Sequence, residues 1–307
     1  MKKTLLATAI LSGLVSATAG AVTVYDNDGT TMKIGGRAEV RGLFSDDVDG
    51  TMEDKSRARI NFSGETKISE NLTGFGFMEY EIKPSTKDGS DLDNRYLFAG
   101  IGTQVGDFSY GKQDTASVQI SDFTDIASEH SGQQQYIDSA SDKESNTFFY
   151  SGTFDDALTV QANYIASSEK DMDAFGISAA YVFDFGLGLG ASYADQDESN
   201  QATLGANYTI NNFYIAASYA MGDASATTEF TSLEVAAQYK FNKQFRLIGI
   251  IGMADEDNNA STIDTEDFYA LEAQYRFNKS IRTFASYKLN NLDNAEDELM
   301  LGLRYNF

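Results

Sequence analysis

From about residue 146 to the C-terminus the chain alternates polar and apolar positions almost without interruption. Leu158, Val160, Ala162 and Tyr164 interleave with Thr159, Gln161 and Asn163, for example. A period of two puts the apolar side chains on one face of a strand and the polar ones on the other. A unit of the form Ala-x-Tyr recurs through these stretches, at Tyr164, Tyr181, Tyr193, Tyr208, Tyr219, Tyr239, Tyr275 and Tyr287. Tyrosine intervals of 11 or 12 residues alternate with intervals of 15 to 20. That rhythm predicts an up-and-down meander with short connections at one end and long, acidic ones at the other. Carried back to the N-terminus, the pattern predicts sixteen strands, at 31–44, 56–68, 73–82, 95–103, 106–113, 145–153, 157–167, 173–184, 186–195, 200–210, 212–222, 229–241, 244–254, 266–277, 280–290 and 296–307.

A second aromatic unit precedes short turns: Tyr181-x-Phe183, Tyr239-x-Phe241, Tyr275-x-Phe277 and the terminal Tyr305-x-Phe307. These rings fall at one height on the apolar face, and the Ala-x-Tyr rings form a second belt at the other end. Two belts around an apolar band describe a wall that meets both interfaces of a membrane. The expected fold is therefore all-β, a sixteen-stranded antiparallel transmembrane barrel, wide enough to leave an aqueous lumen. A secreted β-sandwich would show the same alternation with its apolar faces inward, but not paired belts or a short/long rhythm of connections.

Composition narrows the function. There is no cysteine, so disulfides, thiolate metal sites and cysteine nucleophiles are excluded. Lys2, Lys3, the run "TLLATAILSGLVSA" and the small residues Ala19-Gly20-Ala21 have the layout of a signal peptide, residues 1–21, preceding a barrel domain, 22–307. Removing that leader with its two lysines takes the formal charge from −23 to −25. So acidic a chain has no basic stripe for nucleic acid, and it concentrates cations near its surface. The acidic stretches lack the downstream glutamate of an EF-hand loop, so no metal site is expected.

Alternation stops at "SDFTDIASEHSGQQQ", residues 121–135, which holds the chain's one histidine, His130. The segments "VTVYDNDGTTMKIGGRAEV", "SRARINFSGETKI", "LTGFGFMEY", "NRYLFAGIG", "GDFSYGKQ", "NTFFYSGTF" and "LRYNF" explain the interruption. In their order and spacing they resemble the trimeric general porins of Gram-negative outer membranes, in particular the acidic porins of marine gamma-proteobacteria. The resemblance spans the mature chain. It implies a homotrimer in outer-membrane lipid and lipopolysaccharide, assembled by the barrel-assembly machinery through Phe307, with a third external loop folded inward at residues 112–144.

The resemblance further implies a constriction. Its basic wall maps onto Arg37, Arg59, Arg95 and Lys143, the last where the family usually has arginine. Its loop acids map onto Asp125 and Glu129, with Asp122 an additional candidate one turn away if the segment is helical. The family's Pro-Glu-Phe-Gly-Gly tip reads Ser128-Glu129-His130-Ser131-Gly132 here. Period-two reading independently puts Arg37, Arg59 and Arg95 on the polar face, opposite Ala38, Ile60 and Tyr96. Arg57, Glu65, Glu79 and Glu81 read as inter-strand ion pairs. His130 beside Ser128 and Ser131 does not make a hydrolase, because catalysis needs a nucleophile, base and orienting group that converge in space. It reads as an exposed loop histidine that titrates near its ordinary pKa of about 6.5. The expected function is passive diffusion of small hydrophilic solutes and ions, with cations preferred, without cofactor or catalysis. A substrate-specific channel, or an outer-membrane adhesin or structural barrel, is the alternative.

Overall fold

A computed structural model of the protein describes residues 21–84, 90–132, 134–293 and 295–307. The leader expected at residues 1–21 lies, but for Ala21, outside them. The strands are β1 (Val22–Asn27), β2 (Thr30–Phe44), β3 (Glu53–Asp54), β4 (Arg57–Ser69), β5 (Leu72–Pro84), β6 (Ser90–Thr103), β7 (Gly106–Gln113), β8 (Glu144–Phe154) and β9 (Leu158–Ile165). They continue as β10 (Ala174–Val182), β11 (Leu187–Gln196), β12 (Ser199–Ile210), β13 (Phe213–Ser225), β14 (Thr228–Lys240), β15 (Phe245–Asp257), β16 (Thr262–Arg276), β17 (Ile281–Asn290) and β18 (Glu298–Asn306). Sixteen of these, β2 and β4–β18, pair antiparallel with their sequence neighbours, and β18 pairs with β2 to close the barrel. Closure matters because a strand edge left in lipid would carry unpaired backbone groups.

The two extra segments are local. β3 pairs with the end of β2, Glu53 opposite Leu43. β1 folds back on the start of β2 through the turn at Asp28-Gly29, with Val22 opposite Ile34. Gly36 and Phe307 exchange backbone hydrogen bonds of 3.0 Å in both directions. β1 therefore continues the line of β18 along the same edge of β2, so the first and last described strands meet end to end.

The alternation predicted from sequence is visible in burial. Along β10 the inward Ala174, Gly176, Ser178 and Ala180 are buried, and Phe175, Ile177 and Tyr181 are exposed on the outside. The short connections hold two to four residues. The opposite connections differ from the expectation: much of the acidic sequence read as loop is strand. "ADQDESN" turns only at Asp197-Glu198, and the longer acidic run after β15 turns over residues 258–261. Asp197 and Asn259 make these turns in left-handed conformations, φ 49° and 65°, which Asp and Asn tolerate. Charged strand ends simply carry the sheet out past the apolar band.

The one long connection is the predicted loop between β7 and β8. It contains a four-residue helix α1 (Val118–Ser121) and a 3₁₀ turn at Asp138–Ala140. Two of the buried apolar clusters lie under it. Ile137 and Ala140 pack on Ala194, Ala220 and Phe230, and Ile126 and Ala127 pack on Ala236, Ile248, Ile250, Phe268 and Ala270. A third cluster, Phe77 and Phe98 with Phe75 and Tyr96 packed against them, lies on β5 and β6.

Candidate functional site

The loop is held to the inner wall by hydrogen bonds along most of its length. Asn163 Oδ1 on β9 accepts from the Ala116 amide at 2.8 Å, and Ser178 on β10 donates to Gln119 at 2.6 Å. On β13, Tyr214 donates its hydroxyl to the Phe123 carbonyl at 2.6 Å, and Thr124 meets Ser218 at 2.9 Å. At the tip two wall carboxylates receive backbone amides. Glu272 on β16 accepts from Ser128 (2.9 Å) and Glu129 (3.2 Å), and Glu234 on β14 accepts from Gly132 (3.1 Å). A carboxylate that is ionised makes such bonds stronger than neutral pairs.

Local chemistry closes the tip without the family's proline. The Ser131 hydroxyl accepts from the Ala127 amide (3.2 Å) and donates to Asp125 Oδ1 (2.8 Å). Gly132 has φ +80°, and a Cβ there would stand 3.0 Å from Asp125 Cγ, so the position requires glycine.

Of the sequence-predicted residues, Arg37, Arg59 and Arg95 from the wall and Asp122 and Asp125 from the loop line one cavity of about 690 Å³. Asp122 follows α1, its amide bonded to the Val118 carbonyl at 2.9 Å, so it and Asp125 lie one turn apart. Burial, then Asp114 and Asp125, push the Asp122 carboxyl up to about 8. Lys143 and Glu129 stand elsewhere. Lys143 pairs with its neighbour Asp142 and gives its amide to Asp114 at 3.1 Å. Burial, then Arg95, lower its ammonium to about 8. Glu129 reaches past the cavity to Arg41 on β2, 2.6 Å away.

Two expectations are corrected. Tyr96 does not face outward with Ala38 and Ile60. The β5–β6 register jumps between Glu79↔Tyr96 and Tyr80↔Asn94, leaving Arg95 as the extra residue of a β-bulge. Both Arg95 and Tyr96 therefore face the cavity, with the guanidinium 5.8 Å from the ring centroid and the Tyr96 hydroxyl donating to Asp114 at 2.9 Å. His130 is not an exposed loop residue either. Its side chain is 7 % exposed, with Nδ1 3.9 Å from Glu298. Burial and the Lys288 ammonium depress its imidazole to about 4, so it is neutral where the free side chain titrates.

The wall also contains charges that sequence reasoning passed over. Arg59 pairs with Glu81, and with Glu79 at 3.7 Å, while Arg95 Nε is 2.9 Å from Glu79. The register role expected of Glu79 and Glu81 is thus combined with a place beside the cavity. Glu39, 1 % exposed, gathers Arg41, Arg57 and Arg304 at the β18–β2 seam. Arg246, Arg282, Asp114 and Asp142 join the cavity lining. Their signal was present in part: residues 37, 39 and 41 alternate onto one face, as do 57 and 59. For the loop's landing site the signal was "LIGIIGM" on β15, which is apolar on both faces.

The paired aromatics near the short turns are in ring contact. Tyr181–Phe183, Tyr239–Phe241 and Tyr275–Phe277 have centroids 4.7, 4.8 and 5.0 Å apart and near-perpendicular rings, and Tyr305–Phe307 is looser at 6.2 Å. In each of the first three the phenylalanine amide bonds a carbonyl four residues on, which repeats one turn geometry around the rim.

A closed sixteen-stranded barrel, apolar outside and narrowed inside by a charged loop, defines a channel-forming transmembrane β-barrel. The chain belongs to the Gram-negative porin family, whose model matches residues 6–306. It is 34 % identical to porin-like protein L of Photobacterium profundum and 35 % identical to outer membrane protein U of Vibrio parahaemolyticus, with both partners covered completely. It is 30 % identical to the outer membrane porin OmpD of Salmonella typhimurium, over 96 % of this chain and 94 % of that one. Among solved structures it is similar to Salmonella typhi OmpF in complex with daunomycin, at 25 % identity, covering 93 % of this chain and 100 % of that one, with a TM-score of 0.84. The trimer form of OmpT of Vibrio cholerae shares the fold, at 18 % identity, 91 % and 100 % coverage, and a TM-score of 0.73. The protein is an outer-membrane porin, and its relatives are channels rather than enzymes.

Proposed function

We propose that the protein is a homotrimeric, weakly cation-preferring diffusion channel whose constriction lies between Arg37, Arg59 and Arg95 on the wall and Asp122 and Asp125 on the loop. The observation that carries this reading is that these five side chains line one cavity. Opposed charges across a narrow aqueous gap set up a transverse field, which orients dipolar solutes and separates ion lanes. Lys143 and Glu129 act from behind it, Lys143 beside Asp114 and Glu129 as the loop's anchor on Arg41. Cation preference rests on the overall charge of −23 and on the acidic strand ends. It is weak because six arginines and five acids share the cavity lining.

The trimer reading is supported by the outer face of β2 and β4–β6. Gly64, Gly76 and Ala99 stand in register across three strands, and a Cβ on Gly64 would meet nothing. This smooth sector suits a flat packing surface, and the Tyr-x-Phe ring pairs occupy other strands, where they serve as the membrane girdle. Residues 1–21 direct export, the C-terminal Phe307 engages the assembly machinery, and the acidic rim meets lipopolysaccharide through divalent cations. A substrate-specific aromatic lumen is disfavoured, because Phe77 and Phe284 are each only 3 % exposed. Reconstitution in planar bilayers tests the reading: insertion should give current steps in threes, with a reversal potential of the cation-selective sign in a salt gradient. Absence of conductance would overturn it.

A further inference from the structure

The six cavity arginines divide by what they face. Arg59 and Arg95 pair with Glu79 and Glu81, and Arg304 pairs with Glu39. For Arg37, Arg246 and Arg282, no carboxylate among the described residues stands within ion-pair distance. Arg246 donates from Nε (2.8 Å) and one terminal nitrogen (2.5 Å) to Gln274, and from the other to Gln238 (2.6 Å). Neutral amides hold that guanidinium in place and leave its charge uncompensated. The Nε atoms of Arg37 and Arg282 are buried with no hydrogen-bond partner among the described residues.

These residues share one stretch of wall, β15 to β18 and β2. Arg282 stands opposite both Arg276 and Arg304, and Arg37 opposite Asn306. The carboxylates nearest in the field are already engaged. Glu272, which acts on Arg246 and Arg282, has its oxygens turned to the Ser128 and Glu129 amides and Gln274. Glu79, which acts on Arg37, is held by Arg95. Asp122 and Asp125 face this wall from the loop. All three are half-buried, and a cation partly withdrawn from water without a counter-charge is costly. A guanidinium's planar fork matches the oxygens of a carboxylate or phosphate, which would supply that charge.

We propose that Arg37, Arg246 and Arg282 form a binding station for small tetrahedral oxyanions, inorganic phosphate or the phosphate group of a monoester, inside an otherwise acidic channel. The proposal rests on the channel reading above. It gives anions, which the acidic rim repels, a site of transient residence on the wall facing the loop carboxylates.

The test is single-channel current through the reconstituted trimer in potassium chloride at constant ionic strength, with inorganic phosphate added. Current should fall saturably. Arg246→Gln with Arg282→Gln should raise the half-blocking concentration about tenfold or more, given the strength of charge-assisted pairs. Arg246→Lys, which keeps the charge and loses the fork, should fall between the two. It also serves if the double variant does not assemble. A linear, non-saturating fall, or a half-blocking concentration unchanged in both variants, overturns the station while leaving the channel intact. Absence of any conductance in the parent overturns the channel reading, and this inference with it.

Discussion

On β2 and β4–β6 the inner face is ionic, and its arginines at 57, 59 and 95 find a glutamate on a neighbouring strand. On β9–β16 the inner face carries mostly hydroxyls, amides and aliphatic side chains, with Glu234, Arg246 and Glu272 among them, and the loop lies on it. Apart from Arg37, which is left bare, and Arg41, which also reaches Glu129 on the loop, one sector satisfies its charged groups from within the sheet. The other satisfies its polar groups with a segment from outside it. Under the proposed constriction, charges kept apart in this way face each other across the lumen and set up its field.

The contrast can be broken most severely at the seam of the ionic sector. Glu39→Ala leaves Arg41, Arg57 and Arg304 around a missing carboxylate, and removing one partner of a buried ionic cluster costs about 3–5 kcal/mol. The folded barrel should lose its resistance to heat in detergent, read as a lower temperature of band shift on gels. A smaller effect is expected on the covered sector. Glu272→Gln with Glu234→Gln removes the charge but keeps an acceptor oxygen for the three tip amides, so only the excess of a charged over a neutral hydrogen bond, about 1 kcal/mol each, is lost. The barrel should survive with its loop released, giving larger, noisier currents and protease cleavage within residues 126–134; protection equal to the parent would show that the apolar contacts of Ile126 and Ala127 suffice.

Asp125→Lys with Glu129→Lys should leave the barrel strands paired while reversing the loop's charge and breaking its anchor on Arg41. The cation-to-anion permeability ratio should fall several-fold, and an unchanged reversal potential would remove Asp125 from the constriction and Glu129 from its support. The mildest probe is pH. Asp122, held near 8 by burial, is neutral at pH 7 and ionises above 8, while Lys143 loses its charge over the same range. Both changes make the lumen more negative, so cation preference should rise between pH 7 and 9, and Asp122→Asn should remove much of that rise. Because the folded pKa of Asp122 lies above its unfolded value, its contribution to stability is complete below about 4 and is lost as pH rises through 8. His130, depressed to about 4, should add no step between pH 5 and 8.

Much of this was legible before any coordinates. The sixteen strands, the facing of Arg37 and Arg59 and the place where alternation stops follow from residues close in sequence, whereas the inward folding of the loop and its acids came with the family resemblance. The misreadings have a common cause. A single bulge at Arg95 turns Tyr96 from the outer face to the lumen, and period-two reading has no means of seeing an inserted residue. The acidic strand ends look like loops because alternation loses its apolar half once the sheet leaves the lipid.

Alternation is a local property set by the pleat, so the sequence alone determined strand number, strand facing and the place where the pattern had to stop. Partnership is not local. Arg304 meets Glu39 across 265 residues, and Ser128 meets Glu272 across 144. Only closure of the barrel decided which arginines are paired and which are left bare, which carboxylates hold the loop, and that His130 is buried against the wall.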